Sequence, residues 1–187
     1  KAGDMFIADW RFGKIRKVDA VTGIISTVAG KGSFGSSFSG DGGPAVDAFL
    51  NLPTSVAFDL SGNLIIADRS NHRIDKTTNI ITTIAGTGAP GFSGDGSLAL
   101  NAQFNLPANL IYDLQGNLYI SDQTNHRVRK IDAVTGIVTT IVGNGTTSYT
   151  QDGLKALEVG INLPYGMAFD KANNLLIADA GNNRILR

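Results

Sequence analysis

The sequence contains no cysteine among its 187 residues, and it is poor in proline, in charge and in long apolar runs. The absence of cysteine excludes disulfide bonds and thiolate metal sites, although it does not fix the cellular compartment. The 16 basic residues are balanced by 16 acidic residues. This neutral balance argues against a nucleic-acid partner, because phosphate binding usually requires a basic surface.

No apolar run approaches the roughly 20 residues that a membrane helix requires, so the sequence predicts no membrane segment. The first residues already belong to a repeat, and we therefore expect no signal peptide within the sequence. Glycine is abundant, with 23 residues against 5 prolines. That composition is typical of a chain with many tight turns rather than of a disordered chain.

One segment returns four times along the chain. It consists of Ala-Asp or Ser-Asp, followed by Asn-His-Arg or a related triplet. The four aspartates are 54 to 59 residues apart, and they are Asp9, Asp68, Asp122 and Asp179. A period of this size indicates a repeat architecture. A residue that recurs in each copy is expected to hold its unit together, whereas a catalytic residue should be special to one copy.

Each copy has the pattern of four short strands separated by turns. In the third copy the predicted strands are 108–112, 118–121, 126–131 and 137–142. The second strand is nearly all apolar and the third is more polar, and a radial blade requires this gradient from inside to outside. The sequence therefore predicts an all-β fold, a β-propeller of four-stranded antiparallel blades.

The whole chain, residues 1–187, is expected to form one propeller region. The copies run approximately over 1–51 (partial), 52–105, 106–162 and 163–187 (partial), and they supply 14 strands, or about 3.5 blades. Glycine-rich links join the blades. Helix-like apolar spacing predicts a short helical turn in each link, at 45–50, 98–104 and 154–159.

The second copy is three residues shorter than the third between its third and fourth strands. An odd deletion within a strand would turn every later side chain to the opposite face. We therefore expect the loop at Thr77, Thr78 and Asn79 to absorb the deletion.

The repeated units resemble NHL repeats. The resemblance rests on Gly-Asn-Leu, on Ile-Ala-Asp or Ile-Ser-Asp, on Asn-His-Arg, and on Thr-Gly-Ile before the fourth strand. The link with Phe92-Ser93-Gly94-Asp95-Gly96 is similar to the long-repeat form of teneurin-type adhesion proteins and bacterial extracellular proteins. The resemblance implies a β-propeller, commonly six-bladed. It implies no single activity, since members include protein-interaction modules, RNA-binding propellers and lyases with metal in the central channel.

The recurring ionisable residues have a structural and a functional interpretation. The four repeat aspartates could form an acidic ring, but an aspartate needed in every copy is expected to accept hydrogen bonds from turn amides. His72 and His126 could bind metal, but they occupy equivalent positions where the other copies carry Gly13 and Asn183. The structural interpretation is favoured for both sets.

The link aspartates Asp41, Asp95 and Asp152 resemble calcium loops only loosely, because the regular series of oxygen ligands and the bidentate glutamate are missing. Turn stabilisation is favoured for them. No nucleophile elbow is present. We therefore predict no catalytic residue, no metal site and no cofactor.

Residues that depart from the repeat are better candidates for a functional surface. Aromatic residues and one arginine lie in turns and links that should share one face of the propeller, where they would form a partner-binding face. They are Trp10, Arg11, Phe12, Phe34, Phe38, Tyr149 and Tyr165. The alternative is local packing over the loop bases. Asn144-Gly145-Thr146 also matches an N-glycosylation acceptor at Asn144.

The leading hypothesis is a non-enzymatic protein-interaction or structural adhesion module of a larger extracellular or cell-surface protein. One alternative is a lyase or hydrolase whose channel site is completed by blades outside this sequence. A second alternative is an RNA-binding propeller. The partner is expected to be another protein or further blades, supplied by the same longer chain or by a homo-oligomer; edge-to-edge pairing into a filament is a further possibility.

Overall fold

The computed structural model describes residues 3–32, 38–148 and 153–187. Across these residues the chain forms fourteen strands in four antiparallel sheets, each a meander in sequence order, and these sheets are the blades. Blade 1 contains β1 (Met5–Asp9), β2 (Lys14–Val18) and β3 (Ile25–Ala29); blade 2 contains β4 (Ser55–Phe58), β5 (Leu64–Asp68), β6 (Arg73–Thr77) and β7 (Ile81–Ala85); blade 3 contains β8 (Pro107–Tyr112), β9 (Leu118–Asp122), β10 (Arg127–Ile131) and β11 (Val138–Val142); blade 4 contains β12 (Pro164–Phe169), β13 (Leu175–Asp179) and β14 (Arg184–Leu186).

The predicted all-β propeller with blades of three, four, four and three strands is confirmed. The first strands of blades 2, 3 and 4 lie side by side at the centre and are tied by polar contacts. Ser55 Oγ accepts the Leu110 N–H at 3.2 Å, and Asn109 Oδ1 accepts the Met167 N–H at 3.1 Å.

A single 3₁₀ turn follows the second strand of blades 2, 3 and 4, and in blade 1 it follows β1, which corresponds to their second strand. The links into blades 2 and 3 each carry another. These turns are Trp10–Phe12, Ala45–Asp47, Arg69–Asn71, Ala99–Asn101, Gln123–Asn125 and Ala180–Asn182. The predicted helical turn at 154–159 is instead a hydrogen-bonded turn, in which Glu158 N–H donates to the Lys155 carbonyl at 2.8 Å. No helix in the described parts of the chain is long and apolar enough to cross a membrane.

The three-residue deletion in blade 2 lies in the turn and leaves the strands intact. β6 and β10 both have five residues, and both carry an irregularity in register after their second residue. Thr77 pairs with Ile81, whereas the equivalent Ile131 pairs with Val138. The turn over 78–80 therefore absorbs the deletion, with Asn79 at a φ of +92°.

The apolar core lies between the blades. Ile66 of blade 2 packs in a cluster with blade 1, whereas Ile65 and Ile74 pack with Phe104 and with strands of blade 3. The side chains equivalent to these at the two ends of the chain are less covered. Ile7, equivalent to Ile66, is 38% exposed, and Ile185, equivalent to Ile74, is 68% exposed. Burial of a blade thus depends on its neighbours, as in other stacked repeats.

A glycine begins each link where the link crosses close to the preceding blade. Gly86 has a φ of +97°, and a Cβ atom placed on it would lie 2.6 Å from the carbonyl oxygen of His72. Gly30 and Gly143 show the same positive φ and the same close approach to backbone. Only glycine satisfies both requirements without moving the link.

We expect Gly86→Ala to lower the free energy of unfolding by about 2–4 kcal/mol, because backbone strain and a backbone clash act together. Gly62→Ala is the matched control, since Gly62 has a φ of +80° but nothing within 4 Å of the added methyl group. Gly62→Ala should lower the free energy of unfolding by about 1 kcal/mol, from backbone strain alone. Urea denaturation of both variants measures the difference, and equal losses would contradict the close approach.

Candidate functional site

A buried aspartate ends the second strand of blades 2, 3 and 4. Asp68 Oδ1 accepts the backbone N–H of Asn51 at 2.7 Å, and its Oδ2 accepts the side-chain amide of Asn71 at 2.6 Å. The same pair of bonds reaches Asp122 from Asn105 and Asn125 at 2.7 and 2.8 Å, and reaches Asp179 from Asn162 and Asn182 at 2.6 and 2.9 Å. Each carboxylate therefore ties a link to a strand and to the turn after it.

These contacts favour a structural role for the repeat aspartates over an acidic ring. Asp68, Asp122 and Asp179 are fully buried, so their charges do not face open solvent. Asp9 in blade 1 is half-buried and pairs in register with Lys14. We infer that the buried carboxylates hold the blades together. Each accepts a hydrogen bond from the turn that follows it, as expected, and a second one from a backbone N–H of the preceding link.

The two histidines join neighbouring blades. Both have left-handed backbone, with φ of +54° at His72 and +55° at His126. His72 Nδ1 accepts the Leu106 N–H and His126 Nδ1 accepts the Leu163 N–H, each at 3.2 Å. Partial burial and then a nearby arginine lower the pKa of each imidazole, which keeps Nδ1 free to accept.

Neither histidine belongs to a cluster of potential metal ligands in the described residues. Over residues 3–32, 38–148 and 153–187, no group of three or more histidine, aspartate or glutamate side chains is arranged to hold a metal ion. The hydrogen bonds to Leu106 and Leu163 support a structural role for His72 and His126, which stays a proposal.

Arg129 is a fully buried cation that the sequence reasoning missed. Its Nε and Nη2 donate to Asp95 Oδ1 at 3.1 and 2.8 Å, and Nη1 lies 3.4 Å from Asp122 Oδ2. It also donates to the carbonyls of Ser93 and Gln103 at 2.9 and 3.0 Å. Burial raises the pKa of Asp122 to about 6, against the hydrogen bonds it accepts and the charge of Arg129.

A signal for this site does exist in the sequence. The position of Arg129 is not constant in charge across the repeat: its equivalents are Arg16 in blade 1, Asp75 in blade 2 and Leu186 in blade 4. A position that varies in charge within an otherwise regular repeat is where one copy can acquire a special contact.

The link aspartates contact the blade that follows them. Asp95 binds Arg129, and Asp41 accepts the backbone N–H and the hydroxyl of Thr83, both at 2.8 Å. Their contacts thus reach across to β10 and β7 rather than to amides of their own turn. Asp152 lies outside the described residues.

Two of the aromatic residues predicted for the partner-binding face come together in one pocket. Trp10 from blade 1 and Tyr165 from blade 4 line a pocket of about 310 Å³ with Arg69 from blade 2, together with Ala8 and Thr54. Trp10 is 50% exposed and Tyr165 is 45% exposed. We call this feature the Trp10–Arg69–Tyr165 pocket. Sequence reasoning did not single out Arg69, which donates from Nη2 to Gln123 Oε1 at 2.8 Å.

The other described residues predicted for that face do not line the pocket. The Arg11 guanidinium is 5.5 Å from the Trp10 ring centroid, and Phe12 is exposed but does not line the pocket. The guanidinium carbon of Arg73 lies 3.6 Å from the centroid of the Phe38 ring, and that of Arg127 lies 3.8 Å from the centroid of the Phe92 ring. Phe38 therefore belongs to a contact that is repeated between blades. Phe34 and Tyr149 lie outside the described residues.

Asn144 is exposed, as a glycosylation acceptor must be, but its side chain is engaged. Its amide donates to the Glu158 carbonyl at 3.0 Å, and its Oδ1 accepts the N–H and hydroxyl of Thr146 at 2.9 and 2.7 Å. Glycosylation at Asn144 stays a prediction.

We expect Arg129→Met to lower the free energy of unfolding by about 3–5 kcal/mol, because the buried carboxylate of Asp122 and two backbone carbonyls lose their cation. Arg127→Met is the matched control, because Arg127 is a near neighbour that is only partly buried. This substitution should lower the free energy of unfolding by about 1 kcal/mol. Guanidinium denaturation of the two variants makes the comparison. A fully stable Arg129→Met variant would show that the buried network contributes nothing.

Comparison with known proteins agrees with this fold. The family described as NHL repeat matches residues 50–76. The Arabidopsis thaliana protein SUPPRESSOR OF QUENCHING 1, chloroplastic, is 38% identical over 143 residues, which are 73% of this chain and 13% of the relative. Teneurin-1 of Gallus gallus is 28% identical over 148 residues, which are 68% of this chain and 5% of the relative.

The chain therefore spans a small fraction of the length of these relatives. Among solved structures, a structural genomics protein of unknown function from Bacteroides thetaiotaomicron superimposes with a TM-score of 0.73 at 21% identity. The superposition covers 98% of this chain and 43% of that protein. Repeat motif, blade geometry and relatives agree, and the chain belongs to the NHL-repeat β-propellers.

Proposed function

We propose that this chain is a non-enzymatic protein-interaction module whose partner contacts the Trp10–Arg69–Tyr165 pocket. The observation that carries the proposal is the convergence of three side chains, each special to its own copy, from three different blades. The repeated ionisable residues, in contrast, are engaged in contacts within and between blades. Tryptophan, tyrosine and arginine are also the residue types that most often dominate binding energy at protein interfaces.

The pocket's chemistry fits a segment that presents an apolar side chain beside a carboxylate. The Trp10 and Tyr165 rings supply apolar surface with polar edges. The Arg69 guanidinium has five N–H donors, and the described part of the chain shows one hydrogen bond from it, to Gln123. Arginine binds carboxylates in a two-bond geometry, so an acidic residue next to an aromatic or aliphatic one is the expected recognition element.

The same lining supports binding over catalysis. No histidine, aspartate, glutamate or lysine lines the pocket in the described residues, so it lacks the groups that most often transfer protons in enzymes. A lyase or hydrolase activity completed by further blades is one alternative. RNA binding by base stacking on the aromatic rings is the other, and the test below separates it from peptide binding. An extracellular or cell-surface location stays a prediction, since one relative is named a teneurin and another is named chloroplastic.

The test uses fluorescently labelled peptides in which Phe or Leu precedes Asp or Glu, paired with the same peptides carrying Asn or Gln. We expect the acidic peptides to bind, and Arg69→Gln or Trp10→Ala to weaken that binding by roughly tenfold or more while leaving the melting temperature within a few degrees. Fluorescence anisotropy measures the affinity. Leu114→Ala is the control, because Leu114 is an 82% exposed apolar residue in a turn outside the pocket.

Equal affinity of the wild type and both pocket variants for the acidic peptides would contradict the proposal. Tighter binding of a single-stranded RNA oligomer, lost in Trp10→Ala, would instead favour the RNA-binding alternative.

A further inference from the structure

Blade 2 carries a carboxylate where blade 3 carries its buried cation. Asp75 pairs with Ile66 in blade 2, and Arg129 pairs with Ile120 in blade 3, at the same position of the third strand. Both side chains are fully buried. The two blades thus place opposite charges in equivalent surroundings.

The acceptors around Arg129 have counterparts in blade 2. Asp68 corresponds to Asp122, and Asp41 of the link corresponds to Asp95. The bridge between Ser39 and Phe49 in the first link corresponds to the bridge between Ser93 and Gln103 in the second, so the equivalent carbonyls are present as well. Blade 2 keeps the acceptors and replaces their cation with a further carboxyl group.

The donors near Asp75 are too few for the carboxylates present. Thr83 Oγ1 lies 3.1 Å from Asp75 Oδ1 and 2.8 Å from Asp41 Oδ2, yet a hydroxyl has only one proton to donate. Asp75 Oδ2 is buried and has no hydrogen-bond donor among the residues that the structure describes. Asp68 and Asp75 lie on the same face of adjacent strands, because Asp75 pairs with Ile66 and Asp68 pairs with Arg73. In blade 3 the equivalent side chains, Asp122 and Arg129, approach to 3.4 Å. Two carboxyl groups buried side by side in this way require a proton on one of them.

The charged groups that face the pair do not remove this requirement. Asp41 adds negative charge from the link, and Arg73 is the cation that acts on the pair within the described chain. Arg73 donates from Nε to the Asn71 carbonyl at 3.3 Å and from Nη1 to Thr83 Oγ1 at 3.1 Å. Its guanidinium also stacks on Phe38, so it does not occupy the place that Arg129 fills in blade 3.

We propose that Asp68 and Asp75 share one proton in the folded protein. Blade 2 is then most stable at acid pH, and its stability falls as the pH rises and the proton is lost. Two carboxylates buried as near neighbours do not both ionise, because desolvation and mutual repulsion each disfavour the second charge. The shared proton replaces the guanidinium as the group that neutralises Asp68.

The direction of the pH dependence follows from the pKa shifts of the pair. Burial, followed by the charge of Asp68, raises the pKa of Asp75 well above its usual value. Burial raises the pKa of Asp68 to about 7, against the hydrogen bonds from Asn71 and Asn51. The folded state therefore binds more protons than the unfolded state between about pH 4 and pH 7, so the pair's contribution to stability is full at the acid end and is lost as the pH rises through this window.

The test is Asp75→Asn, which keeps the shape of the side chain and supplies an N–H donor to Asp68 without a proton that can be lost. We expect the melting temperature of the variant, relative to the wild type, to rise by roughly 5 to 10 °C between pH 5 and pH 8. Asp132→Asn is the control, since hydrogen bonds from Thr135 and Val134 lower the pKa of Asp132 and keep it ionised throughout that range. Its melting temperature should differ from the wild type by the same amount at every pH.

A second measurement reads the proton in the unmodified protein. Infrared spectra of wild-type protein with ¹³C-labelled aspartate should show the carbonyl stretch of a protonated carboxyl group at pH 6, and the band should vanish in Asp75→Asn. Parallel melting profiles of wild type and Asp75→Asn, or no protonated carboxyl at pH 6, would overturn the proposal. So would stabilisation of the wild type at pH 8 by added Ca²⁺ or Na⁺ that Asp75→Asn lacks, because a metal cation would then occupy the arginine's place.

Discussion

The structure depends on one interaction, the buried carboxylate at the end of the second strand in blades 2, 3 and 4. In blades 2, 3 and 4 this group accepts one hydrogen bond from the link that enters the blade and one from the asparagine three residues later. A buried N–H without an acceptor costs about 1–3 kcal/mol, so the carboxylate determines where the link can lie. The position of the link then decides which apolar side chains are covered, because the core lies between blades.

The carboxylates and the glycine crossings repeat, whereas two of the positions that differ between blades carry the contacts special to one blade. One is the first residue after each repeat aspartate, which reads Trp10, Arg69, Gln123 and Ala180. Another is the third residue of the third strand, where the charge changes sign between blades 2 and 3. The first position supplies two members of the pocket, and the second changes how a buried charge is neutralised. Regular backbone and variable side chains together allow one scaffold to carry several chemistries.

Much of the fold could be predicted because its signals are local or periodic. Strand number and blade assignment follow from the repeat period and the turn residues. The placement of the deletion follows from alternation, since an odd deletion within β6 would have turned later side chains, such as buried Thr77, to the opposite face. The prediction of a helical turn at 154–159 was wrong, and the segment forms a hydrogen-bonded turn. Apolar spacing over so short a stretch does not distinguish a 3₁₀ turn from a simple turn.

The contacts that were missed join residues far apart in sequence. Arg129 meets Asp95 across 34 positions, and the pocket joins Trp10 to Tyr165 from opposite ends of the chain. Propensity and spacing carry no information about such pairs. Phe38 was a candidate for the partner-binding face, with local packing as the alternative. It stacks beneath Arg73, and the equivalent stack of Phe92 beneath Arg127 reveals that contact as part of the repeat.

Amide hydrogen exchange of Asp122→Ala tests the central claim most directly. The Asn105 N–H donates to Asp122, whereas the Asn51 N–H donates to Asp68 in the neighbouring blade. If buried carboxylates hold the links, the Asn105 amide should lose its protection in this variant while the Asn51 amide keeps its own. Unchanged protection at Asn105 in a folded Asp122→Ala protein would contradict the account.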